Sequence, residues 1–204
     1  FAPGPISHYK LDENTGASGN TIYDSSASGY SATIETGNEN GPTSPAVHEQ
    51  TVTGTATGNP TSVSSNSITG VTNHLYLATV SSKPTATISS VTGIGLTWTQ
   101  IDFQCGARNQ TSVAVYYAIG TPSGNGAITA NFSSAPTEAS LAVSRYSNVN
   151  TTTPIGASIS ANTLGTNGAC SGGTDSTAVT TTLTTLNDNA MIYAGVATRQ
   201  RTFT

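Results

Sequence analysis

From Thr51 onward the chain is a succession of strand-length runs separated by turn signals, and no segment carries a 3.6-residue apolar period over ten or more residues. The runs are 51–57, 62–69, 74–80, 85–91, 96–104, 111–119, 126–132, 138–147, 177–185 and 189–197. Several alternate with period two, so that one side of each strand is apolar. Leu75 and Leu77 share a face, as do Val113, Val115, Tyr117 and Ile119. Leu141, Val143 and Arg145 alternate with Ala142, Ser144 and Tyr146, and Ile192, Ala194 and Val196 form the last such row. Lys83-Pro84, Gly93-Ile94-Gly95, Pro122-Ser123-Gly124-Asn125-Gly126 and Ala135-Pro136 separate the runs with residues that break strands and set turns. Short strands at roughly even spacing predict an all-β fold, an antiparallel β-sandwich of jelly-roll-like form.

Composition narrows what such a sandwich does. Ser and Thr supply 63 of the 204 residues, while only 8% are charged. Thr suits strands because its branched Cβ fits a pleated surface. The net charge is −4 and no basic stripe exists to neutralise phosphates, which argues against nucleic acid. No polybasic segment invites an anionic membrane, and no apolar run approaches the roughly 18–20 residues of a span, so no membrane insertion is expected. The opening Phe1-Ala2-Pro3-Gly4-Pro5 reads as a mature N-terminus whose leader has been removed; a chain cytosolic from the start is the other reading. Asn109, Asn131 and Asn150 begin N-glycosylation sequons.

Residues 1–50 differ from the rest, holding six of the ten acidic residues and many turn formers. Strands are expected at 6–11, near 21–23 and at 31–35, with 36–50 as a linker broken by Gly41-Pro42 and Ser44-Pro45. The division is therefore 1–50, an extended arm and linker, and 51–204, the sandwich.

Reactive constellations are sparse. Cys105 and Cys170 lie far apart in turn-like contexts without further Cys or His at metal-ligand spacing. A disulfide is the first reading and two buried free thiols the other. His8, His48 and His74 have no metal-binding spacing, and His74 reads as a turn residue. Asp12 and Glu13 would point to opposite sides of a strand and cannot act as one acid/base pair. Neither a Gly-x-Ser-x-Gly elbow nor a dinucleotide fingerprint occurs, so no enzyme is expected. Asp12, Asp24, Ser25 and Ser26 offer oxygens of the kind calcium takes, although a loop rich in Asp and Ser is more often an Asx-turn. Trp98 shares a strand face with Leu96 and is expected in the core, not stacked on a sugar ring. Tyr116 and Tyr117 must face opposite ways. An inward Arg145 needs a carboxylate, for which Asp102 or Asp175 is the expected partner.

Two resemblances add to this reading. Ser90-Val91-Thr92-Gly93-Ile94-Gly95-Leu96-Thr97-Trp98, Cys105-Gly106-Ala107-Arg108-Asn109-Gln110-Thr111, Ala142-Val143-Ser144-Arg145-Tyr146-Ser147 and Gly168-Ala169-Cys170-Ser171-Gly172-Gly173 carry the first. On these words 51–204 resembles a module of bacterial multidomain cell-surface and secreted proteins, which implies a secreted sandwich and no chemistry. Ser7-His8-Tyr9-Lys10-Leu11-Asp12-Glu13, Tyr23-Asp24-Ser25-Ser26 and Gly41-Pro42-Thr43 are similar to the opening of laminin-G/concanavalin-A-like lectin domains. That likeness stops near Val47, too short a stretch to bury a core.

Modules like the first continue past Arg199-Gln200-Arg201-Thr202-Phe203-Thr204 with further strands, which implies an open sheet edge here. An extended arm from a neighbouring molecule would fill such an edge, and 1–12, Pro-bounded and with Ile6, Tyr9 and Leu11 to bury, is the candidate strand-exchange arm; the other reading is that 1–50 fold back on their own chain. The expectation is an extracellular structural or adhesive protein, a filament subunit assembled by strand complementation, whose partners are further copies, other surface proteins or glycans. The alternative is a carbohydrate-binding, lectin-like module.

Overall fold

The computed structural model describes residues 21–23, 31–33, 45–174, 179–186 and 189–198. The chain divides into two compact units, Phe1–Asn40 and Gly41–Thr204. In the first, β1 (Thr21–Tyr23) and β2 (Ser31–Thr33) pair antiparallel, Thr21 opposite Thr33. The expected strand at 6–11 lies outside the described residues.

The second unit is an all-β sandwich. Its strands are β3 (Val47–Thr57), β4 (Ser62–Ser64), β5 (Leu75–Lys83), β6 (Ile88–Thr92), β7 (Thr99–Cys105), β8 (Ser112–Ala118), β9 (Thr129–Phe132) and β10 (Glu138–Ser147). A small hairpin follows, β11 (Ala161–Asn162) with β12 (Gly165–Thr166). A five-stranded antiparallel sheet runs β3-β10-β5-β8-β7, and a three-stranded one runs β4-β9-β6. From β3 to β6 each strand joins the sheet its predecessor did not, and β8, β9 and β10 repeat the exchange. This shuttling is the jelly-roll-like wrapping; β7 departs from it by forming a hairpin with β8.

Alternation fills the space between the sheets. Tyr76, Ala78 and Val80 of β5, Ala114, Tyr116 and Ala118 of β8, and Leu141 and Val143 of β10 meet Val63, Val91, Ala130 and Phe132 from the other sheet. Ile68 and Ile128 seal the layer and are fully buried. Leu96 and Trp98 pack against this core, as their shared face predicts. In the turn before them Ile94 sits in the left-handed region (φ 48°), an uncommon conformation for a β-branched residue. Its side chain is buried among the core residues. Gly54, mid-strand in β3, faces the same layer; a Cβ there would run into the Ser64 carbonyl, so only glycine lets β4 pass this close.

Three readings of the chain need correction. Strand begins at Val47, inside the stretch read as linker, because β10 has a full-length partner there: Ser147 lies opposite Val47 and Tyr146 opposite His48. The run at 62–69 contracts to β4 plus a single bridge from Ile68 to Gly126. No strand forms among the described residues of 177–185 and 189–197. The second of these stretches keeps a strand's alternation but lies over a sheet face, where no ladder is available.

Candidate functional site

The outward side of the five-stranded sheet is unusually apolar for a solvent face. Leu75, Leu77, Thr79 and Ser81 alternate outward along β5, and Val113, Val115 and Tyr117 lie beside them on β8. A half-apolar sheet face requires cover, since exposed apolar area costs about 25 cal/mol per Å². The chain after β10 supplies it. Val149, Ile155 and Tyr193 pack with Leu75, Leu77, Tyr117, Ile101 and Tyr146 into a second apolar cluster.

Tyr193 is the clasp of this cover. Its hydroxyl shares a 2.7 Å hydrogen bond with Thr79 Oγ1. Its ring meets the Tyr146 ring edge-on at 6.4 Å, and Tyr146 meets His48 the same way at 5.4 Å. Burial pushes the Tyr193 hydroxyl above its ordinary pKa of 10, against the Thr79 hydrogen bond and helped by Tyr146. Two residues on, Gly195 lies flat against the sheet. A Cβ there would stand 2.9 Å from Thr79 Cγ2 and 3.2 Å from the Cγ2 atoms of Val113 and Val115. Tyr193, Gly195 and Ala197 are partly buried while Ile192, Ala194 and Val196 are exposed, Ile192 by 65% and Val196 by 64%. No backbone hydrogen bond joins 189–198 to another described residue.

A second feature adjoins the disulfide. Cys105 and Cys170 are bonded, with Cα atoms 5.3 Å apart, tying the edge strand β7 to the loop after β12. Two amides organise this corner. Asn162 Nδ2 donates to the carbonyls of Gly168 (2.8 Å), Cys105 (3.0 Å) and Ala169 (3.1 Å), and Gln104 Nε2 donates to those of Gly168 (2.9 Å) and Cys105 (3.0 Å). Beside them opens a shallow cleft of about 330 Å³ lined by Asp102, Phe103, Gln104, Ser160, Asn167 and Cys170, among others. A carboxylate, amides and a hydroxyl in one concavity can hydrogen-bond a polyhydroxylated ligand.

The charges gather elsewhere. Arg145 faces inward as expected, but its carboxylate is Glu49, from β3: Nε donates to Glu49 Oε2 at 3.0 Å, and Nη1 to the Thr69 carbonyl at 2.6 Å and Gln50 Oε1 at 3.3 Å. Asp102 instead accepts the Phe103 N–H, and Asp175 lies outside the described residues. The two expected carboxylates failed because the strand opposite Arg145 is β3, which had been read as linker at this point. His74, at the turn before β5, places Nδ1 3.0 Å from the same Glu49 oxygen. A Ser147 hydrogen bond, then the hydrogen bond and charge of Arg145 with electrostatic help from the His74 ring, hold Glu49 below the ordinary 4.5 despite partial burial. The cluster pins β3 to β10 at the bulge beside Tyr146.

Of the remaining expected residues, Asn109 is exposed in a left-handed turn position. Asn131 lies on β9 with Nδ2 donating to Ser90, and Asn150 Oδ1 accepts the N–H groups of Thr152 and Thr153. The arm residues Ile6, Tyr9 and Leu11 and the calcium candidates Asp12, Asp24, Ser25 and Ser26 lie outside the described residues. Among the described residues no three His, Cys, Asp or Glu side chains gather as a metal site, and no helix is long and apolar enough to cross a membrane. Tyr193 and Glu49 were missed by reading the sequence. The available signal for the first was its spacing from Gly195, since no other of the eight tyrosines has a glycine two residues later. Set against protein-family models, curated proteins and solved structures, the chain matches none of them.

Proposed function

We propose that this is a non-enzymatic extracellular protein, structural or adhesive, whose sandwich is a building block that associates with further copies through unpaired strand-like segments, as in a filament. One observation carries the reading. The segment around Tyr193 leaves Ile192 and Val196 bare on its outer side and its backbone without a ladder partner among the described residues. Exposed, uncharged, β-prone backbone of this kind is a template for another chain. The disulfide suits an oxidising compartment, and a surface so poor in charge suits contact more than solubility. Residues 1–12 remain the arm proposed for strand exchange. Negative-stain imaging and sedimentation over a concentration series test the proposal: ordered polymers form, and deleting 1–12 abolishes the polymer while the fold is kept. Polymers that persist after the deletion remove the arm from the scheme, and a chain monomeric at every concentration removes the scheme itself.

The cleft beside Cys170 favours a second reading, a carbohydrate-binding module. Asp102, Gln104, Ser160 and Asn167 line it. A glycan array probed with and without calcium would then return a saturable ligand whose binding Asp102→Ala abolishes.

A further inference from the structure

The outer face of the five-stranded sheet is a shaped receptor, and we infer that it takes the segment centred on Tyr193-Ala194-Gly195 from a second copy of the chain. The inference rests on the self-association reading above and names the segment and its seat.

The seat has two features that read a partner. Thr79 Oγ1 shares a hydrogen bond with a tyrosine hydroxyl, and the Tyr146 ring meets that tyrosine's ring nearly at right angles. Beyond it, a Cβ at the glycine position would stand 2.9 Å from Thr79 Cγ2 and 3.2 Å from Cγ2 of Val113 and Val115, so any side chain there must displace these methyls. The seat therefore favours Tyr-x-Gly in one register. In the whole sequence that spacing occurs once, at Tyr193 and Gly195. The N-terminal arm does not meet it: Tyr9 is followed two residues later by Leu11, whose side chain would collide with the three methyls in the same register.

What seats the segment also lets it leave. Its hold is side-chain contact on one side only. No strand pairing or backbone hydrogen bond joins 179–186 or 189–198 to another described residue. Withdrawing it breaks no ladder of the sandwich. The same contacts form whether the segment comes from the same molecule or another, which is the condition for domain swapping, and concentration then selects the open arrangement. Ile192 and Val196 stay uncovered in either arrangement, apolar surface that further association of the exchanged chains can bury.

The test uses the full chain and a synthetic peptide of residues 189–198. Gly195→Val and Tyr193→Ala each disable the donor and leave the receptor intact; Val113→Phe fills the receptor and leaves the donor intact. Folding of each is checked by circular dichroism. The peptide is expected to bind the Gly195→Val and Tyr193→Ala chains saturably and to inhibit assembly of the unaltered chain. A peptide with alanine at the tyrosine position should bind about thirtyfold more weakly, the scale of a buried aromatic anchor. Mixing Tyr193→Ala with Val113→Phe should yield a 1:1 heterodimer in native mass spectrometry, since one offers only a receptor and the other only a donor. Assembly of the unaltered chain that the peptide neither binds nor inhibits overturns this inference and leaves self-association standing. Heterodimers in the mixture with no polymer of the unaltered chain keep the inference and remove the filament. If the peptide binds neither donor-disabled chain and the mixture stays monomeric, the exchange is refuted; should Val113→Phe not fold, the peptide result decides.

Discussion

Glu49 and Tyr193 respond to pH in opposite directions. Glu49 titrates below its ordinary range in the folded chain, so its contribution to stability is present above the unfolded carboxyl pKa and is lost as pH falls through the lower, folded value. Thermal melts between pH 6 and about pH 2 should show this loss, and Glu49→Gln should flatten it. The same substitution leaves Arg145, a buried guanidinium, without its anion and should cost roughly 1–3 kcal/mol at neutral pH by urea denaturation. Tyr193 and Tyr116 are both pushed above 10 by burial. Their contributions are complete below pH 10 and fall as pH rises through the higher folded values. Titration of tyrosinate absorbance should show hydroxyls ionising above the ordinary 10, and Tyr193→Phe should remove one of them without unfolding the sandwich.

At the scale of the element, β3 shows what its sequence does and does not disclose. Thr51, Thr53, Thr55 and Thr57 alternate with Val52, Gly54 and Ala56, and the outward threonines and inward small residues follow directly from period two. The strand's start at Val47 is not legible, since Pro45 and the acidic Glu49 read as linker until β10 is seen to pair with them. Gly54 marks the place where β4 crosses beneath. Gly54→Ala should lower stability by about 1–3 kcal/mol, with the unfolding midpoint in urea as the readout. The segment 189–197 makes the complementary point. Its alternation was read correctly as Ile192, Ala194 and Val196 sharing a side, but that side faces solvent and the opposite one, Tyr193 and Gly195, contacts the sheet. Periodicity specifies that there are two sides and is silent on which is covered.

The whole molecule depends on a long-range staple as well as a core. The bond between Cys105 and Cys170 closes a separation of 65 residues, which in the chain-entropy model stabilises by about 4 kcal/mol. Cys105→Ala with Cys170→Ala should lower the unfolding free energy by up to that amount. The loss should centre on the 160–173 corner, because the bonds from Gln104 to the Gly168 carbonyl and from Asn162 to the Cys105 carbonyl cross between the loop and β7 where the disulfide joins them. Hydrogen exchange of the Asn167, Gly168 and Gly173 amides, each bonded to a backbone carbonyl, should rise before that of β5 or β10.

Read alone, the sequence determined the class of fold, the turns, most strand positions, the alternating rows of β5, β8 and β10 without which of them faces inward, and the residues of the disulfide. All of these except the disulfide rest on neighbours along the chain, where a two-residue period and a turn former act locally. Tertiary structure decided everything that depends on which strand lies beside which. It gave Arg145 to Glu49 through the β3–β10 ladder, placed β7 beside β8, and laid the Tyr193 segment over a face in place of an edge. Those outcomes turn on contacts between residues as much as 114 positions apart, whose selection comes from burying area and satisfying charge in three dimensions.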